Sequence, residues 1–212
     1  RQKARTRVCP GLFQLQSTAK FAMMSKGGGD VVQISAGILA GGRSSRIGQN
    51  KAFLPWRDSS FLEQTIAACR DFAPVLLSVD RAERFAGAPC PMVEDELQNF
   101  GPVEGIYQLL RASQTPYMLI VATDMPYLDS AFLARLAGRV TAQMQALVLR
   151  VHGQLEPLCS VYSKAALPAL AQMRRQQIHQ IRALYPQIRT AYVELSALGA
   201  PERLVENINT PD

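Results

Sequence analysis

From residue 31 onward, apolar positions repeat with two periods. VVQISAGILA (31–40) is an apolar, β-rich run that ends at a Gly-Gly pair, and YMLIVA (117–122) is a second unbroken apolar run. Continuous apolar runs of this length suit strands buried on both faces. PVLLSV (74–79), PMVED (91–95), QALVLRV (145–151), LEPLCSVYS (155–163) and TAYVEL (190–195) read as further strands. SFLEQTIAACRDF (60–72) places Phe61, Leu62, Thr65, Ile66 and Cys69 on one helical face, with Ser59 or Ser60 as the cap. PVEGIYQLLRAS (102–113) carries proline in its first turn. SAFLARLAGRV (130–140) and residues 164–185 complete the predicted helices. Strands alternating with helices predict an α/β fold with a mostly parallel sheet covered on both faces. Ligands in such folds bind beyond the carboxyl ends of the strands, which directs attention to the loops after residues 40, 79 and 122.

Length and composition fit this picture. The 212 residues suit one domain, and 48% apolar residues supply a sizeable core. The net charge of +6 is local: residues 1–26 hold six basic residues and no acid, while the rest of the chain balances 17 against 17. A basic face for nucleic acid is therefore not indicated. Residues 1–30 are expected to form a basic, flexible leader outside the fold, with residues 31–212 as a single domain. No apolar run is long enough for a transmembrane helix, and the basic start lacks the apolar stretch of a secretory signal. Cys9, Cys69, Cys90 and Cys159 form no CxxC pair, so reduced thiols and a cytoplasmic setting are expected. Cys69 reads as core; His152 and His179 have no nucleophile context and read as surface or structural positions. Pro55 and Trp56 are expected to pack where the loop enters the next helix.

The chemistry concentrates in four loops. Gly41 to Lys51 combines two glycines with Arg43, Arg46 and Lys51. Backbone N–H groups in such a turn point at an anion. The loop is neither a Walker A nor a dinucleotide fingerprint, and on its own it reads equally as a charged, solvated turn. Asp124 follows a buried strand, where a carboxylate is well sited to hold Mg²⁺ or simply to cap a helix. Asp95 lies in an acidic loop that runs into a helix, between Glu94 and Gly101. Asn207 and Asn209 alternate, so in extended chain both face one side.

These pieces, in this order, resemble the MobA-like nucleotidyltransferases. LAGGRSSRIGQNKAFLPW (39–56) is similar to their LAGGxSxRMGxDKALL opening, EDELQNFGPVEGI to their D…GPLAGI segment, and VATDMPYL to their CDxPFL segment. GQLEPLCSVYS resembles their QPLxALY strand, and ENINTPD their NINTPED. The likeness spans residues 34–212, and LAGG, GPVEG and NINTP are similar to the guanine-using members.

The resemblance implies a three-layer, Rossmann-like nucleotidyltransferase fold and a reaction of GTP with the molybdopterin form of the molybdenum cofactor, assisted by Mg²⁺. It implies backbone contacts to the nucleotide from Leu39, Ala40, Gly41 and Gly42. Lys51 would sit on the phosphates, Arg46 at the leaving pyrophosphate, Asp95 at guanine or its ribose, Asp124 on the metal, and Asn207 and Asn209 on the pterin-phosphate side. Partners implied are other cofactor-biosynthesis proteins and apo-molybdoenzymes, with no nucleic acid and no membrane. The sequence departs from the pattern at Asn50, Glu104, Glu156 and the Ser78–Asp80 strand end. Rival readings are a cytidylyl- or sugar-phosphate nucleotidyltransferase and a non-catalytic cofactor carrier.

Overall fold

Every residue of the apolar run Tyr117–Ala122 is buried, which requires helices on both sides of the strand it forms. The computed structural model describes residues 6–7, 22–23, 32–40 and 51–208. Its main sheet comprises β1 (Val32–Leu39), β2 (Val75–Val79), β3 (Met92–Glu94), β4 (Tyr117–Ala122), β5 (Ala146–Val151), β6 (Gln154–Ser163) and β7 (Thr190–Glu194). The order is β3-β2-β1-β4-β6-β5-β7. β1 pairs in parallel with β2 and β4, β2 with β3, and β5 with β7. β6 runs antiparallel to both β4 and β5. Two-residue segments, Thr6–Arg7 and Ala22–Met23, pair antiparallel with β3 and β1. The predicted mostly parallel α/β architecture is thus the observed one.

Side chains alternate across the sheet and sort into two cores. On one face Ile34, Ala36 and Ile38 of β1 and Leu119 and Val121 of β4 pack with Leu62 of α1 (Phe61–Ala68) and Phe132 of α3 (Ser130–Ala137). On the other face Leu39, Met118 and Ile120 pack with Ile106 and Leu110 of α2 (Pro102–Ala112) and Leu170 of α4 (Leu167–Arg175). Three layers result.

Local chemistry sets the ends. Ser60 caps α1: its Oγ accepts from the Glu63 N–H at 3.2 Å, and the Glu63 carboxylate accepts from the Ser60 N–H at 2.8 Å. The β5–β6 turn needs two left-handed residues, and His152 (φ 50°) and Gly153 (φ 74°) supply them. His152 is therefore a turn residue, and His179 stacks on Phe100 with centroids 4.1 Å apart, so both histidines have structural places. Trp56 packs on Phe61 at 5.1 Å, where the loop enters α1. Burial pushes the thiols of Cys69 and Cys90 up to about 12, which fits packing and not nucleophilic duty.

The stretch 164–185 is not one helix. α4 stops at Arg175 because Gln177 takes a left-handed conformation (φ 56°). The Ile178 N–H then donates to the Met173 carbonyl at 2.9 Å and the Gln177 N–H to the Arg174 carbonyl at 3.2 Å. This is a Schellman closure with glutamine where glycine is usual, so composition gives no warning of it. A separate 3₁₀ turn, Ile181–Gln187, follows.

Gly37 sits in the middle of β1, where an added Cβ would lie 2.7 Å from Met118 Sδ and 2.8 Å from Leu109 Cδ1. Gly37→Ala is expected to lower the unfolding free energy by about 1–3 kcal/mol through overpacking. Urea titration reads this as a lower midpoint at unchanged slope; an unchanged midpoint would mean that α2 moves aside freely.

Candidate active site

The carboxyl ends of β1, β2 and β4 form one ledge. The Ala40 N–H donates to the Ser78 carbonyl at 3.1 Å and the Thr123 N–H to the Leu39 carbonyl at 3.4 Å. Leu39 and Ala40 are therefore held between the ends of β2 and β4. Gly41, Gly42 and Arg46, like Asn50, lie outside the described residues, as does Asn209. The chain is described again at Lys51, the first residue of a 3₁₀ turn, Lys51–Phe53, whose Ala52 is buried.

That turn aims Lys51 at the end of β4. Lys51 Nζ lies 4.0 Å from Asp124 Oδ2, with only 17% and 33% of the two side chains exposed. Burial raises the Asp124 carboxyl above its ordinary range, and the Lys51 charge opposes the rise. The other oxygen, Asp124 Oδ1, is buried and has no hydrogen-bond partner among the described residues. A buried carboxylate oxygen without a donor is costly unless something cationic completes it. The residues thus fit a divalent cation. Among the described residues no group of three or more His, Cys, Asp or Glu could hold one without help. A cation here would take one protein carboxylate and draw its other ligands from phosphate oxygens and water, the habit of Mg²⁺.

Two distant segments of the sequence approach Asp124. The antiparallel register that pairs Cys159 with Val121 carries the preceding stretch of β6, residues 156–158, toward the 123–125 segment. Burial, with the Asp124 charge adding to it, raises the carboxyl of Glu156. The second is segment 206–208: the Ile208 N–H donates to the Asp124 carbonyl at 2.8 Å, and the preceding residue, Asn207, is exposed. Arg203 reinforces that docking by donating to the Tyr127 hydroxyl at 3.2 Å.

Asp95 is built into the other end of the ledge. Its N–H donates to the Val79 carbonyl at 2.9 Å, and its Oδ1 accepts from Ser78 Oγ at 3.2 Å. Gly105 makes room for this. A Cβ there would lie 2.5 Å from Leu39 Cδ2 and 2.7 Å from Ser78 Oγ, so α2 rests on both strands only because the side chain is missing. Burial pushes the Asp95 carboxyl up to about 7, and the nearby Glu104 charge adds to the rise. Asp80, at the end of β2, is engaged with Arg84 and with the Arg81 N–H. Among the predicted residues, then, the structure joins Lys51 to Asp124 and ties the backbone of Ile208, the residue after Asn207, to Asp124. Leu39 and Ala40 lie between that pair and Asp95.

Comparison with known proteins gives a consistent result. Residues 36–191 match the MobA-like NTP transferase domain family. A probable molybdenum cofactor guanylyltransferase from Carboxydothermus hydrogenoformans is 32% identical over 183 residues, covering 84% of this chain and 91% of that one. Molybdopterin-guanine dinucleotide biosynthesis protein A from Archaeoglobus fulgidus shares the fold with a TM-score of 0.71 at 22% identity, covering 84% of this chain and 93% of that one. 2-C-methyl-D-erythritol 4-phosphate cytidylyltransferase from Thermus thermophilus aligns with a TM-score of 0.58 at 21% identity, covering 85% and 94%.

The Asp95 carboxyl carries a pH prediction. In the folded chain it keeps its proton up to about pH 7, while in the unfolded chain it ionises near its ordinary 3.8. Between these values the folded state binds more protons, so this group's contribution to stability falls as pH rises. Asp95→Asn is expected to flatten that fall. The check is urea unfolding of both proteins without nucleotide at about pH 5 and about pH 8; equal pH dependence in the two would show that Asp95 ionises normally.

Proposed function

The chain belongs to the MobA-like NTP transferase family and is a nucleotidyltransferase, and from that premise we propose that it transfers GMP from GTP to the molybdopterin form of the molybdenum cofactor. The products are molybdopterin guanine dinucleotide and pyrophosphate. The observation that carries the reading is the Lys51–Asp124 pair, whose Asp124 Oδ1 is buried without a partner among the described residues, set at the carboxyl end of the central parallel strands. The curated relative in C. hydrogenoformans, named as a guanylyltransferase, supports guanine as the base.

The chemistry asks for positioning and charge neutralisation, not for a covalent enzyme intermediate. An oxygen of the pterin's terminal phosphate forms a bond to the α-phosphorus of GTP. The α–β bridging bond breaks in line, and its electron pair leaves with pyrophosphate. The attacking phosphate is already ionised near neutral pH, so no general base is needed. Lys51 neutralises triphosphate charge as a point cation. Leu39, Ala40, Gly41 and Gly42 offer backbone contacts, and Arg46 faces the leaving pyrophosphate. Asp124 holds Mg²⁺, which when bound supplies positive charge to the phosphoryl oxygens. Asp95 reads guanine or its ribose, and Asn207 and Asn209 orient the pterin phosphate. The reading treats residues 31–212 as one catalytic domain of a cytoplasmic enzyme; among the described residues no helix is long and apolar enough to cross a membrane.

Release of pyrophosphate from GTP plus cofactor in the presence of Mg²⁺ is the direct test, and it separates an enzyme from a cofactor carrier. Asp124→Ala and Lys51→Ala are each expected to lower turnover by about 10²-fold or more, with the fold intact by circular dichroism. Normal turnover in both variants would remove these residues from the site. A thermal-shift comparison with GTP, CTP and UTP is expected to favour GTP; stabilisation by CTP alone would transfer the chain to the cytidylyl-transferring members.

A further inference from the structure

Glu104 replaces a small residue of the family pattern, and it is wholly buried in the first turn of α2. A carboxylate taken out of water is costly unless donors surround it. Here they do. Glu104 accepts from the Glu96 N–H at 2.9 Å, the Leu97 N–H at 3.2 Å and Gln108 Nε2 at 2.7 Å. On its far side Arg174 of α4 donates Nε at 2.5 Å and Nη2 at 3.2 Å. Arg174 also reaches the Glu96 carboxylate at 3.0 Å, and Arg111 holds the same carboxylate at 2.7 Å.

The two backbone donors are the two residues that follow Asp95. Asp95 itself is fixed to β2 through the Val79 carbonyl and Ser78 Oγ. The chain must turn out of β3 immediately after it, and the carboxylate that receives the turning backbone is Glu104. A small residue at this position would leave the Glu96 and Leu97 N–H groups to find other acceptors. Further along, His179 Nδ1 lies 3.0 Å from the Phe100 carbonyl, so the segment after α4 holds the far end of the same loop.

We propose that Glu104, buttressed by Arg174, is a positioning residue that sets the Asp95 loop for base selection. It touches no substrate; it acts by receiving the loop backbone. The inference rests on the reading that Asp95 faces the nucleotide base or its ribose.

The test is the ratio of dissociation constants for CTP and GTP, measured with Mg²⁺ by calorimetry on the full chain. This ratio is independent of the folded fraction, and a purely structural role would lower stability without moving it. Glu104→Ala removes every acceptor and is expected to lower the ratio by roughly tenfold or more. Glu104→Gln keeps an oxygen for the loop amides but sets its NH₂ against the Arg174 guanidinium; a fall of roughly threefold is expected. If Glu104→Ala does not fold, Glu104→Gln decides alone. A folded variant whose ratio stays at the wild-type value would overturn the proposal. Asp95→Ala separates the two levels. If it leaves the ratio unchanged, or if the wild-type chain does not discriminate the bases at all, the base-reading role of Asp95 has failed. If Asp95→Ala collapses the ratio and the Glu104 variants do not, only the positioning role has failed.

Discussion

Parallel strands covered on both faces have nowhere to place polar chemistry except at their ends. β1 and β4 each bury nearly every side chain, one row against α1 and α3 and the other against α2 and α4. Hydrogen bonding along such strands is satisfied internally, so their carboxyl ends are the first points where backbone and side chains turn toward a ligand. Lys51, Asp124, Ser78 and Asp95 all gather at these ends, although they are distant in sequence. Closely approaching glycines serve the same constraint. Gly37 lets Met118 and Leu109 meet across β1, and Gly105 lets α2 settle on Leu39 and Ser78. The close seating of α2 on the sheet thus depends on side chains that are missing.

Burial also explains the electrostatics of the ledge. Asp124 and Asp95 are both carried above the ordinary carboxylate range by desolvation. They differ in what stands nearby. Asp124 faces a lysine and keeps one oxygen without a partner among the described residues, an arrangement that invites a cation. Asp95 faces a serine hydroxyl and the charge of Glu104, an arrangement that suits a neutral hydrogen-bonding group. One row of strand ends therefore offers a charge-seeking position and a hydrogen-bonding position.

Much of this was legible in the sequence. Unbroken apolar runs identified β1 and β4, and Ser59 or Ser60 was read as the cap of α1, of which Ser60 is the one that caps. Lys51 and Asp124 emerged from motif order, and the structure sets them 4.0 Å apart. What escaped had no compositional mark. α4 ends on a left-handed glutamine, a residue that gives no helix-stop signal. Glu104 looked like a departure in a small-residue motif; its meaning depends on Arg174, 70 positions away. The nearness of Glu156 to Asp124 follows from strand register, which no local pattern encodes.

The contact between Ile208 and the Asp124 carbonyl has a mechanical consequence. The residue whose carboxylate fits a cation also offers its carbonyl to the amide of Ile208. Loss of that bond would free the Asp124 carbonyl, and a rotation of the Asp124 backbone would move the partner amide with it. One carbonyl thus serves as a shared axle, through which segment 206–208 keeps its alignment with the end of β4.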